Sequence, residues 1–197
     1  MAQKESNILN MVLTLFLVTA TAALTLGFVY NATKGPIAEA KQQKLEQAIS
    51  KVLPEFDKLE PKEGIRVKPG NGTDSLTFYV AYKGDKRVGT AVRTYTDQGF
   101  SGRFWIMVGF LPDGTINNTA VLEHKETPGL GDKMEAGKGD FPKQFMGKNP
   151  ENFALTVTKD GGDVDAITAA TISSRAFCDA AQRAYNTFMN KKEGGTE

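Results

Sequence analysis

The sequence predicts an α/β protein of the α+β kind: an N-terminal transmembrane helix and a stalk helix, then a domain made of a twisted antiparallel sheet and a C-terminal helix. Three observations predict it. An uncharged apolar run lies near the N-terminus, two strand–turn–strand patterns occupy the middle, and an amphipathic pattern of helical period ends the chain. A length of 197 residues allows one globular domain plus an appendage. The net charge of +1 makes no case for nucleic acid, which requires a clustered basic surface.

Residues 6–33 carry no charge, and 8–30 form an apolar stretch long enough to cross a hydrocarbon core of roughly 30 Å. A cleaved signal peptide competes with this reading, because Ala20-Thr21-Ala22 has the small residues of a cleavage site. The run exceeds a signal peptide's apolar core, however, and continues past that site through Leu24, Leu26, Phe28 and Val29. Lys4 precedes the span while Lys34, Lys41 and Lys44 follow it, so charge bias alone would leave the domain in the cytoplasm. Gly35-Pro36 predicts the opening of a separate helix, because proline at a first turn needs no N–H donor, and Pro54 closes it. The predicted division is therefore residues 1–33 for the tail and span, 34–57 for the stalk and 58–197 for the domain.

Residues 58–74 mix charge with proline and glycine and are expected to be loop. Strands are predicted over 77–82 and 87–95 around Lys83-Gly84-Asp85-Lys86, and over 104–111 and 115–123 around Pro112-Asp113-Gly114. A further short strand is expected over 153–158, and a short amphipathic turn with a packing role over 141–148. In the last helix Ile172, Ala176, Phe177, Ala180, Ala181, Ala184 and Phe188 define the expected buried stripe. Lys191 and Lys192 suit the negative end of its dipole, and Gly194-Gly195 follow as a stop. Cys178 and Trp105 are expected to pack. The single cysteine excludes an internal disulfide or a thiolate set for zinc or iron–sulfur, and the single histidine, His124, excludes a His-rich metal site.

Two stretches carry chemistry. Residues 165–174 gather Thr168, Thr171, Ser173 and Ser174 at a helix start, where unpaired N–H groups and the dipole favour a phosphate. A plain cap, with Asp165 or Thr168 accepting from the first turn, accounts for the same composition. The second stretch, residues 123–131, leaves a strand for a Pro/Gly-rich loop, the kind of segment on which scaffolds place binding groups.

Asp-x-x-Thr-x-Ala-Thr followed by Ser resembles the motif at which FMN-binding subunits of the Rnf and sodium-pumping quinone reductase complexes carry their flavin. His124-Lys125-Glu126-Thr127-Pro128-Gly129-Leu130-Gly131 is similar to that family's second signature. The loop Gln98-Gly99-Phe100-Ser101-Gly102 resembles a Gly-aromatic loop lying near the flavin in the family. The resemblance covers nearly the whole chain and is strongest to the G-type subunits of Rnf ferredoxin:NAD oxidoreductases.

That resemblance implies covalent FMN on Thr171 through a phosphoester, with Asp165, Thr168 and Ala170 around it; Ala169 stands where the family more often has glycine. It implies that Thr127, Gly129, Leu130 and Gly131 line the isoalloxazine ring, with His124 and Glu126 as polar neighbours. It further implies an electron relay with no catalytic residue of its own, other Rnf subunits as partners, maturation by a flavin transferase of the ApbE type, and a domain on the extracytoplasmic side of a bacterial inner membrane. Two other readings share parts of the pattern: the C subunit of the sodium-pumping quinone reductase, and a membrane-anchored flavin-binding sensor.

Overall fold

The computed structural model describes residues 7–70 and 72–193. The chain falls into two compact units, Met1–Lys44 and Leu45–Glu197. The first is helix throughout its described part, the beginning of α1 (Ile8–Val52). Its apolar stretch carries few charges, and none of that stretch is buried in the protein. Such a surface requires an apolar solvent, so this helix is long and apolar enough to span a membrane. The hydroxyls of Thr14, Thr19, Thr21, Thr25 and Thr33 each donate to a carbonyl one turn back, at 2.7–2.9 Å, so these threonines present no free hydroxyl donor to lipid.

The expected break at Gly35-Pro36 is absent, because α1 runs through with Pro36 inside it. Proline removes one intrahelical bond, and the strong helix formers that follow it, Ala38, Glu39, Ala40 and Lys41, carry the helix past that loss.

The second unit is a meander of five antiparallel strands in the order β1-β2-β3-β4-β5. The four predicted strands appear as β2 (Leu76–Lys83), β3 (Lys86–Thr96), β4 (Phe104–Phe110) and β5 (Ile116–Glu123). The stretch expected to be loop is β1 (Lys58–Val67), which pairs with β2 on either side of an irregularity between Glu60 and Ile65. An edge strand has one solvent-facing side, so it tolerates the Pro61, Gly64 and charges that argued against it. The strand expected over 153–158 does not form. Val157 makes a single parallel bridge to Val164, and the chain folds back at Gly161-Gly162, where a side chain on Gly162 would meet the Thr156 carbonyl at 2.1 Å.

Helix α2 (Thr171–Glu193) packs its Ala176, Phe177, Ala180, Ala181, Ala184 and Phe188 against one face of the sheet, in the main core. Ile172 departs from the predicted stripe: it is 49% exposed, while Ser173 and Ser174 beside it in the first turn of α2 are buried. Phe141 and Phe145, in the short 3-10 helix Phe141–Phe145, close on Phe177 with ring centroids 5.0–5.5 Å apart, which gives that segment its packing role. The Lys191 ammonium lies 5.2 Å from the Phe78 ring centroid, and burial, with Arg87 adding, lowers its pKa. The Lys192 side chain and Gly194-Gly195 lie outside the described residues. On the other face of the sheet, Ala48, Ile49, Val52 and Leu53 cover Tyr79, Ala81, Ala91 and Met107.

Candidate functional site

The start of α2 has an unusual construction. Ala169 sits at φ 62, the one non-glycine residue in the left-handed region among those described. The first intrahelical bond runs from Ser174 N–H to the Ala170 carbonyl at 3.1 Å, so Ala170 holds the N-cap position. Alanine has no oxygen to offer there. The N–H groups of Thr171, Ile172 and Ser173 consequently have no acceptor among the described residues.

Neither residue expected as a cap takes that part. Asp165 is held by its backbone, its N–H donating to Gln144 Oε1 at 2.8 Å and its carbonyl accepting from Gln144 Nε2 at 3.0 Å. The left-handed turn at Ala169 stands between Asp165 and Thr168 and the helix, and neither side chain hydrogen-bonds to the first turn. The Gln144 clamp gives the Phe-x-x-Gln-Phe segment a second role beyond packing, which its sequence did not disclose.

The structure also sorts the hydroxyls. Ser173 and Ser174 are buried and engaged: Ser173 donates to Glu126, and Ser174 accepts from Ile167 N–H at 2.9 Å while donating to the Ala170 carbonyl at 3.0 Å. Thr168 is exposed and does not line the cavity described next. Thr171 is half-buried, lines that cavity and has no hydrogen-bond partner for its hydroxyl among the described residues.

The cavity holds about 550 Å³, within the range of small-molecule sites. Three segments wall it: Phe100 from the loop before β4; Glu126, Thr127, Leu130 and Gly131 from the loop after β5; and residues 169–173. Phe100, Leu130 and Ile172 are 66%, 39% and 49% exposed, so three apolar side chains stand at its rim without partners. Glu126 joins the segments from inside. Although only 4% exposed, it accepts from Ser101 N–H at 2.9 Å through one oxygen and from the Ser173 hydroxyl through the other. A buried carboxylate persists where charge-assisted hydrogen bonds replace its water, and here those bonds tie the Phe100 loop to the helix start.

Of the residues expected around a flavin, the cavity therefore brings together Thr171, Ala170, Thr127, Leu130, Gly131 and Glu126. Gly129, His124, Thr168 and Asp165 lie outside its lining. His124 has a structural task instead. Its Nδ1 accepts from Glu126 N–H at 3.0 Å, which leaves the proton on Nε2 to be donated to Glu135. Burial raises the Glu135 pKa, but the hydrogen bonds from His124 and Lys138 outweigh it and hold that carboxyl below the ordinary range. Sequence reading missed Ala169, Ile172 and Ser173 as wall residues. The signal for Ile172 was one apolar residue assigned to the wrong side of its helix.

The FMN-binding domain family matches residues 99–186, a span that starts inside the Phe100 loop and takes in every wall of the cavity. The G subunit of the ion-translocating oxidoreductase complex of Aliivibrio fischeri (strain MJ11) is 37% identical, over 93% of this chain and 90% of its own length. The chain belongs to the family of these G subunits. Its counterparts in Erwinia tasmaniensis and Cereibacter sphaeroides (strain ATCC 17023) are 39% and 34% identical, over 82% and 89% of this chain. Likeness to these proteins extends well beyond residues 99–186, so the apolar helix and β1 to β3 belong to the family's plan as well.

Proposed function

We propose that this chain is the FMN-carrying electron-relay subunit of a membrane-bound, ion-translocating ferredoxin:NAD oxidoreductase of the Rnf kind, with the flavin joined to Thr171 through a phosphoester. The observation that carries the reading is the helix start at the cavity: an alanine N-cap, N–H groups without acceptors at 171–173, and a threonine hydroxyl that is accessible and unengaged. An anion completes such an end, since it meets both the free donors and the positive end of the dipole. The Phe100, Leu130 and Ile172 rim offers the apolar contact that a planar ring needs, while Thr127 and the buried Glu126 supply polar groups to orient it.

When bound, FMN supplies one- and two-electron redox chemistry, and the protein contributes position and electrostatics. Thr171 acts once, in maturation by a flavin transferase. Its oxygen bonds to the flavin-side phosphorus of FAD, the pyrophosphate bond breaks, AMP leaves and the hydroxyl proton is lost, with Mg²⁺ neutralising the charge. Glu126 and Ser173 hold the helix start in place against the Phe100 loop, which fixes the attachment point relative to the rim. The apolar part of α1 anchors the subunit in lipid, residues 58–197 face the extracytoplasmic side, and the remaining subunits of the complex donate and accept electrons. Large domains cross a membrane largely regardless of flanking charge, which reconciles that orientation with the lysines after the span.

The test is co-expression with a flavin transferase, followed by denaturation, gel fluorescence and the mass of the peptide covering residues 165–175. Wild type and Thr171→Ser carry an FMN increment on that peptide, the latter less completely; Thr171→Ala folds and carries none. Covalent flavin in Thr171→Ala, or its absence from wild type beside an active transferase, overturns the assignment.

A further inference from the structure

Away from the cavity, one end of the sheet face opposite α2 carries cations that the chain does not neutralise. Three other arginines are paired with carboxylates: Arg103 with Asp74 and Asp97, Arg175 with Asp160 at 2.6 Å and Arg183 with Asp179 at 3.0 Å; Arg87 instead donates to Thr90 at 2.6 Å. Arg66 and Arg93 differ. Among the described residues neither guanidinium has a hydrogen bond or a carboxylate at salt-bridge distance, and the Nε of Arg93 is buried without any partner.

The two are aligned by register. Arg66 on β1 faces Thr77 on β2, and Thr77 faces Arg93 on β3, which puts the two arginine backbones about 10 Å apart on one face. Tyr79, two residues along β2, points to the same face but is buried with Ala48, Ile49 and Val52, so the exposed end of the face begins at the arginines; burial raises the Tyr79 pKa while Arg93 and Arg66 pull it back. The Arg93 guanidinium lies 4.4 Å from the Trp105 ring centroid, a contact that engages the cation without using its hydrogen-bond donors.

We infer that Arg66, Arg93 and Trp105 form a docking surface for an acidic segment of another subunit of the complex, whose carboxylates bind the two guanidiniums. The inference rests on the reading of this chain as a complex subunit. Charge complementarity selects carboxylates, and the planar guanidinium fork beside the tryptophan matches a planar carboxylate in two-point fashion. A protein partner is favoured over a lipid headgroup because tryptophan beside arginine is the composition of protein interface hot spots, whereas headgroup-binding patches are runs of several basic residues beside the membrane.

The experiment uses the full chain, tagged and extracted from its native membrane in mild detergent, with co-purifying subunits of the oxidoreductase complex quantified over a range of salt. Arg66→Glu/Arg93→Glu lowers their recovery by about tenfold or more, whereas Arg66→Lys/Arg93→Lys loses less and covalent flavin is unchanged in both. Independently, a photo-crosslinking residue (Thr77→p-benzoylphenylalanine) in the otherwise wild-type chain captures an Asp- or Glu-bearing peptide of a complex subunit. Unchanged recovery in the charge-reversed variant, or adducts with phospholipid alone, overturns the docking surface while leaving the subunit reading intact. Failure of the wild-type chain to co-purify with any subunit overturns both.

Discussion

Replacing Gly131 by alanine tests whether the link between Glu126 and Ser173 holds the cavity wall together. Gly131 has an ordinary backbone conformation, so only space constrains it: a Cβ there would lie 2.7 Å from Ser173 Oγ, 2.8 Å from Glu126 Cβ and 2.9 Å from Glu126 Oε2. The methyl group would sit against the contact that joins the loop after β5 to α2. Overpacking costs about 1–3 kcal/mol, and weakening a hydrogen bond to a buried charge costs roughly 1.5–3 kcal/mol. The expected loss is therefore about 3 kcal/mol. Gly129 is the control, because it has φ +78 with nothing within 4 Å, and Gly129→Ala pays only the left-handed backbone penalty of about 1–2 kcal/mol. Denaturation of the detergent-solubilised chain, followed by the fluorescence of its single tryptophan, gives both values. Covalent flavin loading falls in Gly131→Ala and persists in Gly129→Ala. Gly131→Ala/Ser173→Ala should be less than additive, since the second change removes an atom that the first one meets. Equal stability of the two glycine variants, or strict additivity of the pair, would refute this account of the wall.

Ala169→Gly relieves the left-handed alanine and should stabilise the domain by about 1 kcal/mol in the same denaturation assay, with flavin loading retained. Burial pushes the Cys178 thiol up to about 12, so thiol-reactive reagents at neutral pH should modify it only after unfolding, as read by mass spectrometry. The folded-state pKa of Glu135 is depressed, so its contribution to stability is complete above the ordinary carboxylate value of 4.5 and is lost as pH falls through the lower folded value. Glu135→Gln should accordingly flatten the stability profile in that acidic window and leave it flat near neutrality, where denaturation midpoints against pH would show it.

Four strands and the last helix were legible because their turn residues and periodicities agree. β1 was hidden by Pro61, Gly64 and its charges, all of which an edge strand can carry since half of its backbone faces water. Residues 153–158 misled in the opposite direction: Leu155 and Val157 alternate as in a strand, yet they are buried in a segment that folds back on itself. Within the cavity, the residues readable from motif were Thr171, Ala170, Thr127, Leu130, Gly131 and Glu126, with Phe100 from the Gly-aromatic loop. Those that were not depend on which way one turn of helix faces. Ile172 fits the buried stripe by spacing, but it lines the cavity and stays half-exposed.

The alanine at the head of α2 also bears on when the protein is finished. With Ala170 as N-cap, the donors at 171–173 find no acceptor among the described residues, so under the proposed attachment the polypeptide would leave the ribosome without one of its own helix-ending groups. Attachment at Thr171 would supply that group for the life of the molecule, and it could be lost only by breaking a covalent bond. Loaded and unloaded chains should then differ in more than colour. The first turn of α2 would fray more in the unloaded form, exchange its amide hydrogens faster and meet proteases sooner, so that a cell lacking the transferase would clear the subunit before a defective complex could accumulate.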